Sequence, residues 1–137
     1  MLVAATLSVP IGRAIQIFCV IHMVAMGLSH IVQPRVWVDF FVRLREWGEP
    51  GVFVSGFLSL MFGSIVVAFH DVWHGIPLLV TLLGWAHVVK GVLYFALPSV
   101  GLRGMAMVGH ERARRLALAG VLMLVFAGAV AFHLLAG

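Results

Sequence analysis

His70, Asp71 and His74 crowd into one short corner of the chain, His70-Asp71-Val72-Trp73-His74-Gly75. If a helix ran through it, the two imidazoles would lie one turn apart on one face. That i,i+4 spacing can hold a divalent metal, with Asp71 ligating or orienting a ligand. Gly75 and Pro77 favour a turn instead. In a turn, Asp71 would cap the next helix and Trp73 would anchor at a membrane interface. Alternatively, the three polar groups would form the entry of a path for a proton or solute. Lys90 lies within an apolar run, where a charge is costly and points to function. It would snorkel, pair with Glu46 or Glu49, or line a pore or pocket together with Trp85. His22 and His87 fall near the middle of two other apolar stretches. Facing each other across a bundle, such a pair can bind haem axially. Singly, each would hydrogen-bond a neighbouring helix. No cofactor is expected, haem and a divalent metal being the two that these groups would serve.

Other chemistries find little footing. Ser55, Ser59 and Ser64 lack the glycine-flanked nucleophile elbow. No phosphate-binding loop, dinucleotide fingerprint or HExxH motif occurs. The one cysteine, Cys19, excludes an intramolecular disulfide and cysteine-based zinc sites. An enzyme is therefore the less favoured class.

These residues sit in a chain that is 63% hydrophobic and 10% charged. Soluble domains carry about 25% charged residues, so the chain reads as one integral membrane domain. Four apolar stretches, about 11–31, 52–69, 76–97 and 116–135, approach the roughly 20 residues that a helix needs to span lipid. Met1–Pro10 reads as an apolar interfacial lead without the basic region of a cleavable signal. Ser55, Ser59 and Gly63 recur at i, i+4 and i+8, a small-residue stripe that admits a close helix. Gly84 and Gly91 share a second face, and Gly120 and Ala127 a third. Such faces would serve contacts between copies as well as within one.

Between the first two spans, Val36, Trp37, Phe40, Phe41, Leu44 and Trp47 recur on one side of a helical projection and Arg35, Asp39, Arg43 and Glu46 on the other. Two faces at period 3.6 predict an amphipathic helix over about 35–47, lying in the interface with Trp37 and Trp47 at headgroup depth. Glu49-Pro50-Gly51 is expected to end it, and Ser99–Arg115 to be a loop in which Met105 and Met107 make interface contacts. Arg35, Arg43 and Arg45 fall in the first connection, and Arg103, Arg112, Arg114 and Arg115 in the third. The excess of positive charge puts both connections in the cytoplasm, and both termini and the 70–75 corner outside. Arg13 dissents. The net charge of +4 is spent on topology, and nucleic acid is not an expected partner.

Gly63-Ser64-Ile65-Val66-Val67-Ala68-Phe69-His70-Asp71-Val72-Trp73, Thr81-Leu82-Leu83-Gly84-Trp85, Lys90-Gly91 and Pro98 resemble a group of small four-span bacterial inner-membrane proteins of unassigned function. Their pattern is His-Asn-x-Trp, Thr-x-x-Gly-Trp, Lys-Gly and a proline; Asp71 stands where the pattern has Asn. The resemblance implies the four-span fold and a role for His70, Trp73, Thr81, Gly84, Trp85, Lys90 and Gly91. It implies no activity.

The expectation is an all-α membrane protein with four spans and one interfacial helix. It would act as an accessory subunit or assembly factor touching the lipid bilayer, a membrane-protein partner or a second copy. Arg112, Arg114 and Arg115 would be part of its cytoplasmic surface. The alternatives are a homo-oligomeric channel or transporter for an ion or small solute, and a histidine-ligated haem or metal protein.

Overall fold

The computed structural model describes residues 9–137; the apolar lead expected over Met1–Pro10 lies almost wholly outside them. All regular structure among the described residues is helical: α1 (Ile11–Val32), α2 (Pro34–Glu46), α3 (Glu49–Phe69), α4 (Leu78–Ala96), α5 (Pro98–Ala106), a 3-10 turn (His110–Arg112) and α6 (Ala113–Ala136). Four of the helical stretches are long and apolar enough to cross a membrane. Their outward faces carry Phe57, Leu122, Val125 and Phe132, each more than half exposed. Large apolar side chains left bare in this way are explained by lipid as the solvent.

Glycine decides how the spans pair. α1 packs chiefly on α6, and α3 chiefly on α4. In the first pair Gly27 and Gly120 meet: a Cβ built on Gly27 would lie 2.8 Å from the Gly120 carbonyl oxygen. In the second, a Cβ on Gly63 would lie 2.6 Å from the Val88 nitrogen, and one on Gly91 2.8 Å from the Leu60 nitrogen. Only hydrogen at these positions lets the backbones come so near, and close packing is the main attraction available between helices in lipid. The small-residue stripe and the 84/91 face are therefore used inside the chain. The two pairs close over a core of Cys19, Met23, Phe62, Val66, Val80 and Val130.

The first connection departs from expectation at one point. The break falls at Gly48, whose φ of +70° suits glycine, and not at Glu49-Pro50-Gly51. Pro50 lies in the first turn of α3, where no backbone N–H is required of it, so the span begins three residues earlier. Helix α2 has the amphipathic character read from its period: Val38 and Leu44 are buried, while Arg35, Arg43 and Arg45 are exposed.

The third connection is a second correction. Pro98 does not end helical structure but opens α5 at its first turn, and the 3-10 turn leads into α6, which already contains Arg114 and Arg115. Helix α5 is hard to see in sequence because its nine residues hold too few turns to show a period. Met105 is buried with Leu44 and Val52 in a second apolar cluster, flanked by Tyr94 and Leu102, and is no surface contact. Met107 is 61% exposed. Helices α2 and α5 touch each other and α3, and Asp39 meets His110 at 3.2 Å. Together they form a platform across one end of the bundle, carrying Arg35, Arg43, Arg45 and Arg103, with Arg112 in the 3-10 turn and Arg114 and Arg115 at the start of α6 at the same end.

Candidate functional site

Two sets of polar groups inside the spans bear on function. The first is a closed node at the end of the bundle opposite the platform. Helix α3 ends at Phe69, and His70 takes an extended backbone that turns its side chain inward. Its ring is 2% exposed. His70 Nδ1 lies 3.0 Å from Thr81 Oγ1, and His70 Nε2 lies 3.1 Å from Gln16 Nε2. The Thr81 hydroxyl donates to the Val72 carbonyl oxygen at 2.8 Å and accepts from the Val72 N–H at 3.2 Å. Its one proton is thereby committed, so His70 Nδ1–H must donate to Thr81. His70 Nε2 then accepts from the Gln16 amide, which fixes one tautomer of a neutral ring. Burial pushes the His70 pKa below its ordinary value, partly opposed by the charge of Asp71. Only Gln16 Oε1 is left as a buried polar atom without a partner among the described residues.

This geometry changes the reading of the corner. His70 and His74 do not share a helical face, because the helix stops before both. Both His70 nitrogens are engaged, Asp71 Oδ1 accepts from Trp73 Nε1, and His74 is exposed. No cluster of three metal-ligating side chains occurs among the described residues. Nor does Asp71 cap α4, which begins at Leu78 behind Pro77 without a side-chain cap. Trp73 is 57% exposed at the bundle end, where an indole suits the membrane interface.

The second set lines a cleft of about 510 Å³ between α1, α3 and α4, roofed by Phe40 and Phe41 of α2. It holds His22, His87 and Lys90 with Ser55 and Ser59. Phe62 stands between the two imidazoles, its centroid 4.5 Å from that of His22 and 4.8 Å from that of His87. The histidines thus share a cleft but meet through a phenyl ring, not face to face. His87 Nδ1–H donates to the Leu83 carbonyl oxygen at 2.9 Å, leaving Nε2 as the acceptor. Ser59 Oγ donates to the His87 carbonyl oxygen at 3.2 Å. Lys90 makes no ion pair with Glu46 or Glu49; its ammonium sits 5.3 Å from the centroid of Tyr94, a cation–π contact. Phe18, Leu58, Met61 and Ile65 border the cleft in mid-span and are 38–48% exposed. The mouth therefore faces sideways into the bilayer.

Between the two sets lie Cys19 on α1 and Val66 on α3, both fully buried. They form an apolar seal across the interior. Trp85 is 44% exposed and does not line the cleft. Trp37 is tied inward, not free at headgroup depth: its Nε1 donates to Ser29 Oγ at 2.9 Å and its ring stacks on His30 at 4.3 Å. Trp47 is 63% exposed at the platform edge. Arg13 donates to the Leu134 carbonyl oxygen at 2.8 Å. Its charge satisfies the last turn of α6, where a cation is favourable, which accounts for its dissent from the loop-charge pattern.

Sequence reading missed Gln16 and Phe62. Gln16 stands at i, i+3 and i+7 with Cys19 and Met23, the buried face of α1. That spacing was the available signal. No family model matches the chain, and no match is found among curated proteins or solved structures.

Proposed function

We propose that this chain is an accessory or assembly-type protein of the bacterial inner membrane, acting by contact with other membrane components and not by passing a solute. The observation that carries this reading is the apolar seal. The node and the cleft lie at different depths of the same interior, and Cys19 and Val66, both fully buried, close it between them. A conducting path through one chain would need polar or wet lining across that interval. A path between copies is also disfavoured, since the glycine faces that would bring copies together are already filled by α4 and α6.

The platform supports contact as the mode of action. Arg35, Arg43 and Arg45 of the first connection and Arg103, Arg112, Arg114 and Arg115 of the third lie on one end of the bundle, with Asp39 and Glu111 among them. Positive charge concentrated on one side favours a cytoplasmic platform, with the 70–75 corner and the C-terminal end of α6 outside. The motif resemblance to small four-span inner-membrane proteins favours the same compartment. An impermeant maleimide applied to intact cells should label His74→Cys and spare Arg103→Cys; the reverse pattern inverts the orientation.

Function is tested by two measurements on the same protein. Photo-crosslinkers placed at Arg45 and Arg103 should trap one defined membrane-protein partner in native membranes. Purified chain in vesicles should pass neither protons nor small ions. Flux that falls in both Lys90→Ala and His70→Ala would overturn the reading in favour of a channel.

A further inference from the structure

We infer that the lateral cleft is a binding site for a single-chain amphiphile with an acidic oxygen headgroup, carboxylate or phosphate, held by Lys90. The inference depends on the cleft opening to the bilayer and not on the accessory role proposed above.

Three observations carry it. The first is a cation without a counterion. Lys90 is six residues from the end of α4 at Ala96, about 9 Å at 1.5 Å per residue. No carboxylate among the described residues comes within ion-pair distance, and among them the Tyr94 ring at 5.3 Å is its one cation–π neighbour. An ammonium at that depth calls for an anion or water. The second is what surrounds it. The same cleft presents the His22 imidazole and the Ser55 hydroxyl, both able to donate to an oxygen acceptor. A cation flanked by donors suits an acidic head, which accepts from all of them.

The third observation is shape. The cleft holds about 510 Å³, within the range of a pocket for one small molecule. Its mouth is framed by Phe18, Leu58 and Met61, each 38–48% exposed in mid-span. A ligand entering from lipid keeps its apolar tail on that rim while its head reaches inward. The Phe62 ring forms the floor, with His22 and His87 on either side. Water-borne anions would have to cross the platform roof of Phe40 and Phe41, so the route favours a molecule already dissolved in the membrane.

The full chain in nanodiscs of zwitterionic lipid provides the test. Palmitate, its methyl ester, hexadecanol and a single-chain phosphate amphiphile are titrated and read by native mass spectrometry and by quenching with brominated chains. Saturable one-to-one binding is expected for the carboxylate or the phosphate amphiphile, and weak binding for ester and alcohol. Acetate and inorganic phosphate at the same concentrations should not compete; competition would overturn the membrane-borne source. Lys90→Met should weaken the acid at least about tenfold, with Lys90→Arg retaining most of it. Leu58→Trp should block binding with the charge in place. Equal affinity for acid and ester, or binding untouched in both Lys90→Met and Leu58→Trp, would overturn the inference. Solute flux in the vesicle assay would refute the accessory reading without touching this one.

Discussion

The node and the cleft are built from the same kinds of residue and have opposite characters. In the node, His70 has each ring nitrogen engaged, Thr81 donates once and accepts twice, and the ring is sealed from lipid. In the cleft, the His22 ring packs against Phe18 and Phe62, His87 has one nitrogen without a hydrogen bond among the described residues, and Lys90 has a ring in place of a carboxylate. A buried network in which all but one polar atom is paired fixes the packing of the elements it joins, here α1, the α3 end and α4. An unsatisfied set in an open cleft does little for stability and is suited to a ligand. Histidine in a membrane span is thus informative only together with what its nitrogens touch.

The contrast can be broken most directly at its centre. His70→Ala should lower stability by about 3 kcal/mol, since it leaves a cavity and strips partners from Gln16 and Thr81. Thermal unfolding in detergent checks this, and a change below about 1 kcal/mol would mean the node is not a structural latch. Thr81→Val keeps the volume and removes the bridging hydroxyl. A loss of about 1–2 kcal/mol is expected, and the Val72 amide should gain hydrogen exchange.

Acid should act on the node as well. His70 has its pKa lowered in the folded state, so the unfolded chain takes up a proton first as the pH falls. The stability it contributes is complete above about 6.5, the unfolded value, and is lost as the pH drops through the lowered folded value. Unfolding midpoints measured from neutral to mildly acidic pH should fall, and His70→Asn should flatten that dependence. An unchanged slope in the variant would place the titrating group elsewhere. At the small end of the scale, His22→Ala should change stability by less than about 0.5 kcal/mol. A large loss there would erase the distinction between the two regions.

How much of this was legible in the sequence differs between elements. The four spans and α2 follow from apolar run length and a period of 3.6, which survive any tertiary arrangement. The position of the α2–α3 break did not follow, because Pro50 has two meanings. After a helix it terminates, and in the first turn of a new one it initiates; Gly48 with its positive φ resolved the matter only in three dimensions. Short α5 escaped because nine residues, among them Gly101 and Gly104, give too weak a period. Lys90, His22 and His87 were visible as candidates, but that they line one cleft was not, since spacing along separate helices carries no information on their mutual rotation. At the corner His70–His74, Gly75 and Pro77 already favoured a turn, and the metal alternative fell away because its i,i+4 spacing presumes a helix that in fact ends at Phe69.

The pairing of α1 with α6 and of α3 with α4 is nested, and that has a consequence for biogenesis. As the chain emerges from the ribosome, α3 and α4 can zip together once the turn between them is made, whereas α1 must wait in the membrane until the final segment is threaded. In the interval Gly27 is an unfilled notch, open to chaperones or to quality-control proteases. Cysteine pairs flanking Gly63 and Gly84 should crosslink in nascent chains arrested after α5, while pairs flanking Gly27 and Gly120 should do so only after release of the completed chain.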